Sequence, residues 1–322
     1  MSLASRSLTL MRSAAGSPPT VTQYRAFRAL GCRIVAVDSD SRSVGFAFAD
    51  AAHVVPRVGE PAYLGRMLEI CRLEGVELFL PALDEELALC SVHRDLFEAV
   101  GTRVLVSGPG ALEVCTDKLR TFELFRELGI PTPRTLPAEA YREGAFAGFP
   151  VVVKPRSGRG GAGVHVARDH REAAFFVAGA ERAVVQEHCP GEELTLDVLA
   201  DLDSQVRILS ARRRLAVESG ISSKGATCWR EELLAPVRRM VGALGLVGPL
   251  NVQCFVAATT LFTEINARIA GTAILTQAAG VPYFQGILDL ARGRAPEPWL
   301  KPAQPLVMYR YWEEAFQKPA EG

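Results

Sequence analysis

The chain has no G-x-x-x-x-G-K-[ST], no H-E-x-x-H and no C-x-x-C anywhere along its 322 residues. The first absence excludes a Walker A phosphate loop. The second excludes a zincin helix, and the third the paired-thiol zinc and redox motifs. No apolar run approaches the roughly 20 residues of a membrane-spanning helix. Charge of either sign is not in excess: 36 Lys and Arg balance 36 Asp and Glu, so no global field draws the protein to nucleic acid or a membrane surface. The one dense basic cluster, Arg212-Arg213-Arg214, reads as a strand end or a local anion site. Seven scattered cysteines, an odd number, make no disulfide framework and suit reduced thiols in a cytoplasmic protein. No acidic residue precedes Asp38, a bias shared with organelle transit peptides. Yet "SLTLM" (7–11) has the texture of a strand, and "VTQYRAFRALG" (21–31) that of a short amphipathic helix stopped by glycine. The stretch is therefore read as the start of a fold.

What is present alternates. "RIVAV" (33–37), "VELFL" (76–80) and "TRVLV" (102–106) are short apolar runs, separated by helical patterns that end at Gly75 and Gly101. Alternating β and α predicts an open, doubly wound α/β unit up to about residue 110. Asp38 ends the second run, where a dinucleotide fold places its ribose-binding acid. G-x-G-x-x-G is missing, however: Gly16 stands alone in "SAAGSPP", so NAD binding is not favoured. From Thr116 the texture changes to α+β. A helix, "TDKLRTFELFRELG", capped by Thr116 or Asp117, leads to a glycine-rich loop, and a further helix covers 170–180. Next come a strand at 183–188, a hairpin turning at 201–204, a helix over 231–244 and a second hairpin.

Two stretches carry chemistry. "FPVVVKPRSGRGGAGVHVA" sets a loop of several glycines between two valine-rich strands, with Lys154 at its lip. Such a loop can fold backbone N–H groups over phosphates while the lysine supplies a point charge; the alternative is a flexible surface hairpin. The second stretch is "GPLNVQCFVAATTLFTEINAR". If Ala258 and Thr259 make a two-residue turn, Gln253 faces Glu264 and Asn251 faces Asn266. Alternation then puts Gln253, Phe255, Glu264 and Asn266 on one side. Three oxygen-bearing side chains on one patch suit a solvated face or a hard cation such as Mg²⁺ (or Mn²⁺). Arg268 continues the same parity with a planar fork for phosphate or carboxylate.

In order and spacing these features resemble the ATP-grasp superfamily, in particular one synthetase unit of the carbamoyl phosphate synthetase large subunit and biotin carboxylase. The matching pieces are "TDKLRTFELFRELGIPTPRT", "FPVVVKPRSGRGGAGV", "VVQEHCPGEELTLDVL" and "NVQCF…FTEINARIAGTA", together spanning roughly 115–290. The resemblance implies a Rossmann-like pre-ATP-grasp domain over 1–113 and a two-lobed ATP-grasp domain over 114–302. Its lobes would meet near residue 188, with a tail at 303–322. It further implies that Lys118 and Lys154 contact ATP phosphates under a loop containing Gly158, Gly160, Gly161 and Gly163. Glu187, His188 and Cys189 would form the linker that reads adenine, Phe255 would pack on the ring, and Glu193 would hold the ribose. Gln253, Glu264 and Asn266 would be the metal set, and Arg268 would steady the transferred phosphoryl group. The sequence departs from the family at "RIAGTA" and "SAAGSPP", both where an acceptor would dock.

The expected activity is an ATP-dependent carboxylate ligase acting through an acyl phosphate on small-molecule carboxylate and amine substrates, with homodimerisation left open. Arg212, Arg214, Lys224, Asp84 and Glu85 are the candidates for the acceptor side. The rival readings are an ATP-binding regulatory protein without turnover and an NAD-dependent oxidoreductase.

Overall fold

A computed structural model describes residues 7–158, 160–218 and 220–316. The last six residues of the expected tail lie outside the described residues, as do the first six of the chain.

The alternating first third forms a parallel sheet. Its elements are β1 (Thr9–Arg12), α1 (Thr20–Ala29), β2 (Arg33–Asp38), β3 (Ala51–Val54), α2 (Tyr63–Glu74), β4 (Leu78–Leu80), α3 (Asp84–Val92), α4 (Arg94–Glu98) and β5 (Arg103–Val104). Strand order β3-β2-β1-β4-β5 reverses direction at β1, the usual place for a ligand crevice beyond the strands' carboxyl ends. The helical pattern at 85–101 divides at His93 into α3 and α4, and the run at 102–106 shortens to a two-residue strand. Gly75 and Gly101 terminate their helices with φ of 60° and 80°, a region that other residues enter at a cost.

A smaller lobe follows: α5 (Pro109–Thr116), α6 (Lys118–Glu127), β6 (Thr135–Pro137), β7 (Val151–Pro155), β8 (His165–Ala167), α7 (His170–Ala178) and β9 (Ala183–Glu187). Its antiparallel sheet, β6-β9-β7-β8, closes its own core around Val151, Val153, Ala173 and Val185. Alternation along β7 therefore sends Val152 and Lys154 to the opposite face.

The remaining elements are β10 (Glu192–Ala200), β11 (Val206–Glu218), β12 (Ile221–Cys228), α8 (Leu234–Leu244), β13 (Gly248–Val256), β14 (Thr260–Asn266), α9 (Ala273–Ala278), α10 (Tyr283–Ala291) and β15 (Val307–Tyr309). They build a six-stranded sheet in the order β14-β13-β10-β11-β12-β15. One core runs through Met11, Phe79, Leu194, Val252 and Phe262, joining this sheet to the parallel one. A second packs Phe27 of α1 edge-on against Phe284 of α10 at 4.8 Å.

The β13–β14 pairing sets the site. Gln253 faces Glu264 and Asn251 faces Asn266, but the ladder shifts between Gln253 and Cys254. Cys254 then faces Phe262 and Val256 faces Thr260, so the turn holds residues 257–259 instead of two. Thr263 is the extra residue, a β-bulge. In an unbroken strand Phe262 and Glu264 would share a face; here Phe262 is 1% exposed and packs 6.3 Å from Phe125 of α6, while Glu264 lines a cavity.

Candidate functional site

Two cavities meet over this hairpin. One, of ≈ 480 Å³, lies between the small lobe and the six-stranded sheet. The other, of ≈ 430 Å³, lies between that sheet and the strand ends of the parallel sheet. Gly160, Arg214, Gly220, Gln253 and Glu264 line both and form their common wall.

Cations reach the wall from two elements. Asp117 caps α6, its Oδ1 accepting from the Leu119 and Arg120 amides at 3.0 and 3.2 Å, and Arg156 Nε donates to it at 2.7 Å. Burial alone would raise the Asp117 carboxyl; Arg156 and the two amides outweigh it and hold it below the usual aspartate range. The cap fixes Lys118 in the first helical turn, where its Nζ donates to Gly158 O at 3.1 Å and stands 4.0 Å from Glu264 Oε1. Lys154 projects from β7 with 7% exposure, its Nζ 3.7 Å from the same oxygen. Burial pulls the Lys154 ammonium below the ordinary lysine range; Glu264 offsets part of that and Lys118 adds to it.

The loop leaving β7 crosses the first cavity with Gly158, Gly160, Gly161 and Gly163 at φ of 134°, 70°, 73° and 70°. Across from it, the tip between β11 and β12 brings Gly220 so near that a Cβ there would meet Gly160 Cα at 2.5 Å. The far end of the cavity is formed at Glu187, His188 and Cys189, with Phe255 and Glu193. The Glu187 side chain turns to the Arg134 amide at 3.0 Å, His188 is exposed, and burial pushes the Cys189 thiol up to about 11. Burial also raises the Glu193 carboxyl, partly countered by Arg214 Nη1 at 2.7 Å.

The family description for an ATP-grasp domain matches residues 115–272, and that for a PylC-like N-terminal domain matches residues 13–105. The chain carries an ATP-grasp domain.

The carbamoyl phosphate synthase large chain of Rubrobacter xylanophilus is 28% identical over 244 residues, 69% of this chain but 23% of that protein. The phosphoribosylamine–glycine ligase of a Synechocystis strain is 30% identical over 185 residues, 54% of this chain and 44% of its own length. The chain thus spans less than half of either relative. Among solved structures, the biotin carboxylase domain of Hydrogenobacter thermophilus 2-oxoglutarate carboxylase, in complex with MgADP, ADP and bicarbonate, superposes with a TM-score of 0.74 at 20% identity. That match covers 92% of this chain and 72% of the other. Staphylococcus aureus N5-carboxyaminoimidazole synthetase, complexed with ADP, gives 0.74 at 15% identity over 94% and 82%. These likenesses are of fold.

Of the nucleotide- and metal-side residues singled out from the sequence, all but Gly163 line one or both of the two cavities. Asn266 and Arg268 line only the second. Arg268 Nε donates to Asp84 Oδ1 at 3.0 Å and Nη2 to Asn266 Oδ1 at 3.3 Å, tying the hairpin to α3 of the parallel sheet. Gln253, Glu264 and Asn266 present an oxygen-only donor set with one negative charge. Among the described residues only ammonium groups approach the Glu264 carboxylate, which fits a hard cation shared with phosphate oxygens.

Two acceptor-side candidates fail. Arg212 is 2% exposed, and its Nε and Nη2 bind Asp197 at 2.8 and 2.6 Å beneath the cavity floor. Lys224 is exposed opposite Tyr309 at the sheet edge and lines neither cavity. Glu85 lies by a third cavity next to Asp38. Asp38 itself accepts from the Gly16 amide at 2.8 Å and the Asp40 amide at 3.1 Å, so its oxygens serve the loops after β1 and β2. Sequence reasoning missed Arg12, Gln23 and Gly220. For Arg12 a signal existed: an arginine closing an otherwise apolar strand.

Proposed function

We propose that the protein is an ATP-dependent carboxylate ligase whose nucleotide lies in the first cavity and whose acid and amine meet in the second. The observation that carries this reading is the common wall, where Lys118, Lys154 and Glu264 converge between two cavities of ligand size. Lys118, Lys154 and amides of the glycine loop hold the phosphates. The backbone at Glu187–Cys189 and the Phe255 ring receive adenine, and Glu193 takes the ribose. Gln253, Glu264 and Asn266 would hold Mg²⁺, which when bound neutralises charge on the phosphates. Residues 1–113, 114–302 and 303–322 are proposed as the domain, catalytic and tail divisions.

In the first half-reaction a carboxylate oxygen attacks the γ-phosphorus. A P–O bond to the acid forms and the P–O bond to ADP breaks. In the second, an amine attacks the acyl carbon. A C–N bond forms, the C–O bond to phosphate breaks, and the surplus amine proton leaves to solvent. Buried Lys154 and the fork of Arg268 meet the charge that builds on the transferred group, and the closed glycine loop keeps water from the acyl phosphate.

Two measurements test this. A MgATP analogue should raise the melting temperature while NAD does not, and ADP release should depend on adding acid and amine together. Protection by NAD alone, or protection by nucleotide with no substrate-dependent ADP release, would point instead to an oxidoreductase or to a regulatory ATP-binding protein.

A further inference from the structure

The second cavity holds three guanidinium groups, and their charges are not equally matched. Arg214 is paired with Glu193 at 2.7 Å and Arg268 with Asp84 at 3.0 Å. Arg12, at the carboxyl end of β1, is 4% exposed and has only neutral partners: its Nε donates to Gln23 Oε1 at 3.1 Å and its Nη1 to Leu80 O at 2.9 Å. Nη2 has no partner among the described residues. Gln23 is itself pinned, its Nε2 donating to Ala270 O at 3.3 Å, so the fork is held in one orientation. Burial pulls the guanidinium down to about 10; the fields of Tyr24 and Glu86, neither of which bonds the guanidinium, oppose this in part, and Arg268 adds to it. A buried cation without a counter-charge is costly unless an anion is supplied from outside.

The phosphates of a nucleotide are not that anion, because Arg12 does not line the first cavity. Nor is the carboxylate that becomes activated. That group must reach the common wall at Gln253 and Glu264, whereas Arg12 lies off it on the parallel sheet. What remains is a carboxylate at the far end of a molecule whose other end faces the wall.

Resting on the ligase reading, we propose that the amine substrate is an α-amino acid or a closely similar amino carboxylate. Its carboxylate is bound, unreacted, by the Arg12 fork, and its amine is directed at the acyl phosphate. Arg12 is thus a specificity residue of the second cavity, set by β1, Gln23 and the β4 carbonyl.

The test offers the wild-type protein each of the twenty amino acids as amine, alongside bicarbonate, short carboxylic acids and other amino acids as acid. The α-amides and decarboxylated amines of the same side chains are run in parallel, with ADP release as readout. Amino acids should support release, and their carboxylate-free counterparts should be far slower. Arg12→Gln should raise KM for the amino acid on the order of tenfold to a hundredfold with kcat less affected, as expected for loss of a charge-assisted hydrogen bond. Arg12→Lys, which keeps the charge but loses the fork, should fall between and serves if the glutamine variant does not fold. Thermal protection by the MgATP analogue should persist in both. Failure of that protection in the wild type would sink the ligase reading itself. With it intact, no release from any acid and amine pair would also sink the ligase reading, whereas equal use of carboxylate-free amines, release with those amines but with no amino acid, or a KM rise confined to the activated acid would overturn the role of Arg12 alone.

Discussion

Replacing Glu264 with glutamine removes the only anion of the oxygen set while keeping its shape. Its Oε1 stands 3.7 Å from Lys154 Nζ and 4.0 Å from Lys118 Nζ. At an effective dielectric near 20, each pair is worth about 4 kcal/mol before desolvation is charged against it. The Glu264 side chain is 27% exposed, so the net stability lost without nucleotide should be only about 1 kcal/mol, roughly 2 °C in melting temperature. Turnover should suffer much more. Weakened metal capture at the phosphates should cost on the order of 4 kcal/mol of transition-state stabilisation, about a thousandfold in ADP release. Ile265→Gln is the contrasting control. Ile265 is 1% exposed on the core face, and burying an amide there should cost about 3 kcal/mol of stability. Calorimetry and ADP release on both variants separate the two faces of one strand. If Glu264→Gln retained full Mg²⁺-dependent turnover, the assignment of this hairpin would be wrong.

Three further outcomes can be checked. Gly220→Ala places a Cβ 2.5 Å from Gly160 Cα on a residue at φ 75°, so nucleotide affinity by calorimetric titration should fall by about tenfold while the melting temperature changes little; unchanged affinity would show that the two loops need not meet. Asp117→Asn keeps an N-cap but loses the partner of Arg156. Because the folded carboxyl is held below its unfolded value, its stabilisation is present at neutral pH and lost as pH falls through the folded value. The variant should therefore be less stable than wild type by about 1 kcal/mol at pH 7 and nearly equal to it in strong acid, and parallel denaturation curves at all pH would refute the linkage. Lys154 binds phosphate only as the cation, and its lowered value means that charge is lost at lower pH than for an ordinary lysine. Nucleotide affinity should decline as pH rises through that range, and Lys154→Met should remove the decline along with much of the affinity.

Most of the first cavity was legible in the sequence because local rules govern it. Glycines after a valine strand, a cap before Lys118 and the pairing of Gln253 with Glu264 are contacts between near neighbours in the chain. The bulge was not legible, since strict alternation predicts an unbroken strand and only the packing of Phe262 on Phe125 shows that Thr263 stands outside the ladder. Arg212 misled for a related reason: its basic neighbours suggested an exposed end, but it is 2% exposed where β11 runs between β10 and β12, and Asp197 takes its charge. The second cavity needed the fold itself. Arg12 and Arg268 lie more than 250 residues apart along the chain and line one space only after the parallel sheet docks on the antiparallel one.

The bulge at Thr263 also separates chain length from side-chain facing. Removing Thr263 would leave Phe262 opposite Cys254 and Glu264 opposite Gln253, now as adjacent rungs of a regular ladder. Removing Ile265, two positions on, would bring Asn266 opposite Val252 and turn its amide into the core. A hairpin built this way tolerates a single-codon deletion at one position and is ruined by the same event two codons later. In a lineage of such chains, gaps should gather at 263 and within 257–259, while the four residues from Glu264 to Ala267 keep their spacing.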